Sequence, residues 1–382
     1  MKYISEFRDG ELAKNLSKKI ALAANTNREY RLMEFCGGHT HTIFRYGIPD
    51  LLPANVRMLH GPGCPVCVLP MKRIDAAIEL ALRPNTILCS YGDMLRVPGT
   101  EKMSLLKAKS QGADVRMIYS PADCLKIAQD EPGKQVIFFA VGFETTTPPT
   151  AVIIEQALQL KLKNLFIFCN HVLTPPAIMG ILEPAKQANK KVLDGLIGPG
   201  HVSVVTGSAP YDVIAEKYQV PITISGFEPL DILQSILLLV KQINKGSYLV
   251  ENQYTRAVSA EGNMKAQTLM SEYFELRDKF EWRGLGEMPL SAIQIKPAFK
   301  HLDAERCFPI SQKTSTDNKA CECPAVLTGQ KKPTECKLFN NPCTPENPLG
   351  SCMVSSEGAC AAYYTYRRSD FISSDITSHK EH

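Results

Sequence analysis

The chain has 382 residues, of which 44% are apolar and 21% are charged. This length exceeds what one compact core needs, so we expect two or three domains. The net charge of +4 comes from 43 basic and 39 acidic residues and includes no basic block. A nucleic-acid-binding protein usually concentrates its basic residues, so the charge pattern argues against that class.

The sequence contains neither a secretory signal nor a membrane span that we can recognise. The first thirty residues mix charged and apolar positions at helical spacing, without the apolar core of a signal peptide. The longest apolar run, ILLLV at 236–240, is far too short to cross a bilayer. We therefore expect a cytoplasmic protein that does not bind membranes.

Cysteine is unusually frequent, with 13 residues. In a reducing compartment, metal binding or thiol redox chemistry explains such a number better than structural disulfides do. Six cysteines precede residue 170, and the other seven lie between Cys307 and Cys360. The second group is therefore the stronger candidate for a metal-binding segment.

Taken in chain order, short apolar runs end in loops rich in Gly, Pro, His and Thr, and helical stretches separate them. The helical stretches include 72–82, 151–162 and 232–243. Buried strand, loop and helix in alternation predict an α/β fold with parallel sheets. In such sheets the loops at the carboxyl ends of the strands converge and carry the chemistry.

An internal repeat predicts two similar α/β domains. HGPGCPVC at 60–67 is echoed by IGPGHVSV at 197–204, and FCGGHTHT at 35–42 is echoed by GFETTTPP at 142–149. We expect domains at 31–120 and 121–250 that face a cleft, although chance similarity of such loops would give the same pattern. Beyond them, 264–283 is predicted to be an amphipathic helix, and 369–382 is a polar tail.

The first candidate site is CGGHTH at 36–41. The two glycines after Cys36 let backbone or ligand approach its thiol closely. His39 and His41 could donate protons or lower the pKa of the thiol, which would suit a nucleophile or a metal ligand. The alternative is that Cys36 is a small buried apolar residue.

The second candidate site is GPGCPVC at 61–67, in which two residues separate Cys64 from Cys67. Such a pair either binds a metal or alternates between dithiol and disulfide. A zinc site would need a second pair of ligands at suitable spacing, and none follows nearby. We therefore favour a redox pair over half of a structural zinc site.

The third candidate site is GFETTTP at 142–148, where Glu144 follows a predicted strand. Its carboxylate could act as a general base or hold a ligand. The loop could equally be a helix cap, because threonine before proline is ordinary at a helix N-terminus.

The fourth candidate site is the cysteine-rich segment from Cys307 to Cys360, which has little apolar periodicity. A segment that cannot build its own core is often organised by a metal. Four thiolates suit a [4Fe–4S] cluster, although they also suit structural zinc. The cysteines of this segment are Cys307, Cys321, Cys323, Cys336, Cys343, Cys352 and Cys360.

These four motifs, in this order, resemble those of the HypD family of hydrogenase maturation proteins. The likeness covers about residues 5–368 and includes ECKLFNNPCTPENPLGSCMVSSEGACAAYY at 335–364. The resemblance implies a scaffold for the Fe(CN)₂CO centre of [NiFe] hydrogenases, which works with a small HypC partner and receives cyanide from HypE. The finished unit would then pass to the hydrogenase large subunit. It also implies two similar α/β domains and a third, iron–sulfur domain formed by 1–30 and 251–368.

The resemblance also implies roles for individual residues. Cys36 would ligate the transient iron, assisted by His39, and Glu144 would lie in the cleft. Cys64 and Cys67 would be the redox-active thiol pair. A [4Fe–4S] cluster would be held by Cys321, Cys336, Cys343 and Cys360, with Cys323 and Cys352 as extra thiols close enough to leave the individual ligands open.

Two rival classes use some of the same features. A ferredoxin–thioredoxin-reductase-like oxidoreductase also combines a [4Fe–4S] cluster with a CxxC pair, but it has no need of a third thiol flanked by histidines. A structural zinc-binding interaction protein would be colourless. The sequence contains no GxxxxGK[ST] loop, so nucleotide hydrolysis is not predicted.

Overall fold

The computed structural model describes residues 4–311 and 320–367, and two sheets form its centre. Their nine strands are β1 (Tyr30–Glu34), β2 (Val56–His60), β3 (Thr86–Ser90), β4 (Asp114–Met117), β5 (Gln135–Gly142), β6 (Leu165–His171), β7 (Gly195–Pro199), β8 (Ile222–Ser225) and β9 (Val250–Asn252). The first sheet has the order β2, β1, β7, β8, β9, and the second has the order β4, β3, β5, β6. All of these pairings are parallel, which confirms the predicted α/β class.

Helices connect the strands and cover the sheets. They are α1 (Gly10–Ala23), α2 (Gly37–Arg45), α3 (Pro65–Val68), α4 (Met71–Ala81), α5 (Leu105–Ser110), α6 (Ala122–Asp130), α7 (Thr147–Gln159), α8 (Thr174–Gln187), α9 (Gly200–Thr206), α10 (Asp212–Tyr218), α11 (Pro229–Lys245), α12 (Met264–Tyr273), α13 (Ala304–Cys307), α14 (Cys323–Leu327) and α15 (Ala359–Tyr366). In the part of the chain that the structure describes, none of them is long and apolar enough to cross a membrane.

Strand β5 shows why the sheets form. All of its residues from Val136 to Gly142 are buried, as expected of a parallel strand covered on both faces. Ile137 and Phe139 belong to one apolar cluster, while the intervening Val136 and Phe138 belong to another. Burial of each large apolar side chain stabilises the fold by roughly 1.5–3 kcal/mol.

The sheets do not follow the predicted division of the chain at residue 120. Strands from 30–60 pair with strands from 195–252, whereas the second sheet is built from 86–171. The chain therefore leaves the first sheet after β2, builds the second, and returns at β7. A strand–loop–helix pattern identifies the units of such a fold, but it carries no information on which strands pair.

The predicted helix at 264–283 ends early. Helix α12 stops at Tyr273, and four short strands follow: β10 (Phe274–Leu276), β11 (Lys279–Trp282), β12 (Gly286–Pro289) and β13 (Ile293–Ile295). They form two antiparallel pairs, β10 with β13 and β11 with β12. In β11 buried Phe280 and Trp282 alternate with exposed neighbours, so a period of two prevails over helical spacing.

The two chain segments assigned to a third domain pack mainly against different helices. Helix α1 packs against α11 beside the first sheet, where Ile20 joins the same apolar cluster as Ile236 and Leu239. In the cysteine-rich segment, α15 packs against α2. The predicted polar tail, 369–382, lies outside the described residues.

Candidate functional site

Loops from both sheets line one cavity of about 670 Å³. They follow the carboxyl ends of the strands, which is where parallel sheets place their binding sites. The cysteine-rich segment supplies the remaining wall through Ser355 and Glu357. Residues from these loops that line the cavity include Cys36, Gly63, Asp93, Tyr119, Thr145 and His201.

Cys36 lies where β1 gives way to α2. It is the N-cap residue of that helix, and its extended backbone turns the chain from strand to helix. Its backbone N–H donates a 2.8 Å hydrogen bond to the Glu34 carboxylate. Burial and the nearby Glu357 carboxylate raise the pKa of the Cys36 thiol, so the thiol form is favoured in the free protein.

The GPG turn at 61–63 packs directly on the Cys36 backbone. The N–H of Gly61 donates to the Glu34 carbonyl oxygen at 2.8 Å, and the N–H of Gly37 donates to the Gly63 carbonyl oxygen at 3.1 Å. A Cβ at position 63 would lie 2.4 Å from the Cys36 nitrogen. Only glycine permits this approach, so the absence of a side chain at position 63 lets the turn pack on the Cys36 backbone.

His39 is fully buried beneath the site. Its Nε2 lies 3.2 Å from the Ser225 carbonyl oxygen, and its ring stacks on Phe227 at 4.6 Å between centroids. His201 stacks on Phe227 at 3.7 Å. Burial lowers the pKa of His39 to about 4, so the imidazole is neutral at neutral pH.

The expectation that His39 and His41 activate the thiol does not fit this electrostatic setting. The pKa of Cys36 is raised rather than lowered, with burial as the largest cause. His41 instead accepts or donates a 2.7 Å hydrogen bond with the Tyr366 hydroxyl. Sequence proximity suggested a cationic partner, but burial keeps His39 uncharged.

Cys64 and Cys67 form a disulfide, and both are buried. Cys64 is the N-cap residue of α3, which brings its neighbours Gly63 and Pro65 to the cavity wall. On the other side, the Ser351 hydroxyl donates to the Cys67 carbonyl oxygen at 2.9 Å. The pair therefore lies between the Cys36 cavity and the cysteine-rich segment.

Glu144 caps a helix, although not the one that follows it directly. Its carboxylate accepts hydrogen bonds from the backbone N–H and the hydroxyl of Thr174, at 2.8 and 3.0 Å, where α8 begins. Burial raises its pKa to about 7. The neighbouring Gly142, Phe143 and Thr145 line the cavity, so this carboxylate supports the cavity wall from behind.

The cysteine-rich segment gathers several thiols. The sulfur atoms of Cys321 and Cys323 are 3.3 Å apart, and hydrogen bonds with Cys323 and Cys360 lower the pKa of Cys352. Cys343 is near enough to Cys321 and Cys323 for their charges to raise its pKa, although burial is the larger cause. Cys307 is exposed elsewhere, with its thiol against the backbone oxygens of Lys300 and His301.

These thiols supply the right donors for an iron–sulfur cluster, because cysteine thiolates are its usual ligands. Of the four predicted ligands, Cys321, Cys343 and Cys360 belong to this group of neighbouring thiols. Cys336 is half-buried and follows the short turn at 333–335. Cys323 and Cys352 also belong to the group. Among residues 4–311 and 320–367, no three His, Cys, Asp or Glu side chains already surround a point that a metal ion could occupy.

Several residues of the site escaped the sequence analysis. Glu34 and Glu357 lie near Cys36, His60 contacts Glu34, and Ser351 contacts the CxxC pair. The available signal was a charged residue, Glu34, inside the apolar run RLMEF at 31–35. A carboxylate in a buried strand is uncommon and points to a specific role.

Comparison with known proteins identifies the family to which the chain belongs. The family model HypD, described as "Hydrogenase formation hypA family", matches residues 11–367. HupD of Azotobacter chroococcum mcd 1, a hydrogenase expression/formation protein, is 63% identical over 369 residues, which cover 96% of this chain and 97% of that one. The hydrogenase maturation factor HypD of Escherichia coli (strain K12) is 44% identical over 375 residues, covering 97% and 99%. The chain belongs to the HypD family of hydrogenase maturation factors.

Proposed function

We propose that this chain is a scaffold on which the Fe(CN)₂CO centre of [NiFe] hydrogenases is assembled, with Cys36 as a ligand of the iron cargo. The observation that carries the proposal is the position of the Cys36 thiol in a cavity walled by loops from both sheets. Thiolates are soft ligands that retain ferrous iron. Because burial favours the neutral thiol, iron binding must displace the Cys36 proton.

The cavity suits an arriving partner as well as an iron ion. At about 670 Å³ it is far larger than one metal ion needs, and Tyr119 at its edge is 88% exposed. We propose that a HypC-type small protein supplies a second iron ligand here, that HypE delivers cyanide, and that the completed unit passes to the hydrogenase large subunit. His39 supports the loop from beneath through its contacts with Ser225 and Phe227.

The cysteine-rich segment is proposed to hold a [4Fe–4S] cluster through Cys321, Cys336, Cys343 and Cys360. Bound there, the cluster would supply one-electron transfer. The proximity of these thiols supports this assignment. Cys323 and Cys352 contact predicted ligands, so variants of these two residues should be compared with variants of the four. The Cys64–Cys67 pair is proposed as the redox-active dithiol of the site.

The burial of that pair counts against the rival oxidoreductase. Cys64 and Cys67 are 2% and 0% exposed, so a folded disulfide substrate could not reach their sulfur atoms directly. An enzyme of the ferredoxin–thioredoxin reductase class has to present a thiol to its protein substrate. A scaffold that uses the pair internally has no such requirement.

Complementation tests the proposed function. In a host that lacks its own maturation factor, the parent chain should restore [NiFe] hydrogenase activity, and Cys36→Ala should abolish it. The matched control is Cys307→Ala, which removes an exposed thiol and should leave activity unchanged. Full hydrogenase activity with Cys36→Ala would exclude Cys36 as an obligatory iron ligand.

A further inference from the structure

Glu34 lies two residues before Cys36, at the end of β1, and is completely buried. Its carboxylate contacts three residues. One carboxylate oxygen accepts the Cys36 N–H at 2.8 Å. The other accepts from the Thr40 hydroxyl and lies 2.9 Å from His60 Nδ1. A single side chain therefore links the end of β1 to α2 and to β2 beside the candidate iron ligand.

We propose that Glu34 is the positioning residue that fixes the Cys36 thiol in the cavity, an inference that rests on the proposed role of Cys36 as iron ligand. The hydrogen bond to the Cys36 N–H holds the residue at which the extended strand (φ −151°, ψ 127°) turns into α2. Fixing this backbone fixes the direction in which the side chain leaves it. The hydroxyl of Thr40 holds the first turn of α2 to the same carboxylate.

The contacts on the backbone of Glu34 reinforce its side chain. The Glu34 carbonyl oxygen accepts the Gly61 N–H at 2.8 Å, and this ties the GPG turn to the same residue. The turn then packs on the Cys36 nitrogen through Gly63. Glu34 thus holds Cys36 from one side and its covering turn from the other.

A glutamate at position 34 is unfavourable for packing alone, because its surroundings are apolar. The flanking Met33 and Phe35 are buried apolar residues, and a leucine would suit the same strand. Burying a carboxylate is unfavourable unless hydrogen bonds compensate for its lost hydration. A carboxylate does, however, have enough lone pairs to accept from three donors at once, which an apolar residue cannot do.

Two variants separate acceptor geometry from simple core filling. Glu34→Gln keeps an oxygen for the Cys36 N–H, while its amide group can donate to Thr40 and to a neutral His60 ring. Glu34→Met keeps the side-chain length but removes both oxygens. Thr40→Val is the matched control, because it removes one contact of Glu34 and leaves the Cys36 hydrogen bond in place.

The measurement is the alkylation rate of Cys36 by iodoacetamide in the full chain, read by peptide mass spectrometry relative to the exposed Cys307. Loss of the hydrogen bond should loosen the loop and speed alkylation of Cys36 by about tenfold in Glu34→Met. Glu34→Gln and Thr40→Val should stay within about twofold of the parent. Circular dichroism establishes that each variant keeps its fold.

The outcomes distinguish this proposal from the proposed function, because alkylation requires neither iron nor partner. A parent-like Cys36 rate in folded Glu34→Met would overturn the positioning role even if hydrogenase maturation proceeds normally. If Glu34→Met does not fold, the test rests on Glu34→Gln, which keeps the acceptor oxygen. An alkylation rate of Cys36 that rises about tenfold in Glu34→Gln would then overturn the proposal, because the oxygen alone would not hold the thiol in place. Hydrogenase maturation retained by Glu34→Gln but lost by folded Glu34→Met would support both proposals.

Discussion

The Ser351 hydroxyl donates a 2.9 Å hydrogen bond to the carbonyl oxygen of Cys67, although 284 positions separate the two residues. Both residues are fully buried. The bond joins the cysteine-rich segment to the CxxC turn and, through that turn, to the Cys36 cavity. The three cysteine-containing sites are thus parts of one packed unit.

Replacing Ser351 by alanine should destabilise the protein by about 1–3 kcal/mol, because the buried Cys67 carbonyl oxygen loses a donor. Urea unfolding monitored by circular dichroism measures the change. Ser271→Ala is the control, since the hydroxyl of that exposed serine donates within its own helix, to the Thr268 carbonyl oxygen, and its loss should change stability by less than about 0.5 kcal/mol. Equal effects of the two substitutions would mean that the Ser351 contact does not join the two segments in solution.

Replacing Gly63 by alanine should displace the GPG turn from Cys36. The added Cβ would lie 2.4 Å from the Cys36 nitrogen, which is rigid backbone, so either the turn or the strand end must move. We expect a loss of about 1–3 kcal/mol in unfolding free energy and a loss of hydrogenase maturation. At Gly133 nothing lies within 4 Å of an added Cβ, so Gly133→Ala should keep both properties.

Glu144 should give the stability of the protein a measurable pH dependence. Its pKa is raised from 4.5 to about 7, so the folded state binds the proton more tightly than the unfolded state does. The resulting stabilisation is complete below pH 4.5 and is lost as the pH rises through 7, which amounts to about 3 kcal/mol. In Glu144→Gln this loss between pH 4.5 and 8 should disappear from the urea-derived unfolding free energy.

The control for Glu144 is the exposed Glu216→Gln, which should retain the pH dependence of the parent. Glu144→Gln should also support maturation, since its amide oxygen can still cap α8 at Thr174. A pH dependence unchanged by Glu144→Gln would show that Glu144 is not held as a buried carboxyl group.

His171 should give the stability of the protein the opposite pH dependence. It is fully buried with its Nε2 2.9 Å from the Thr150 hydroxyl, and burial lowers its pKa from 6.5 to about 4. The unfolded state therefore takes up the proton first, and stability is lost as the pH falls from 6.5 towards 4. His171→Gln should lessen the loss between pH 7.5 and 5 by about 2 kcal/mol, while the exposed His301→Gln should not.

The sequence predicted the α/β class and identified loops that line the cavity, because buried parallel strands and glycine-rich turns have strong local patterns. It did not predict that β1 pairs with β7, since partners in a sheet are set by packing across 160 residues of intervening chain. The pKa of Cys36 is raised, whereas the adjacent histidines suggested that it could be lowered, because burial has the larger effect. Neither burial nor strand pairing can be derived from motif spacing.

The residues that hold the motifs in place were also not identified from the sequence. Ser351 and Glu34 act through contacts that only the folded chain creates, the first with Cys67 and the second with Thr40 and His60. A single buried acid in an apolar strand was a usable signal for Glu34. Ser351, one serine in a polar segment, carried no comparable signal.

An infrared spectrum shows whether Cys36 is needed to hold iron that carries cyanide and carbon monoxide. The protein is purified without oxygen together with a HypC-type partner, and the region of metal-bound cyanide and carbonyl stretches is recorded for the parent, Cys36→Ala and Cys307→Ala. We expect cyanide and carbonyl bands in the parent and in Cys307→Ala, and their loss in Cys36→Ala. Bands of parent intensity in Cys36→Ala would exclude Cys36 as the iron ligand, and the absence of bands from a parent preparation that retains its partner would exclude the scaffold role.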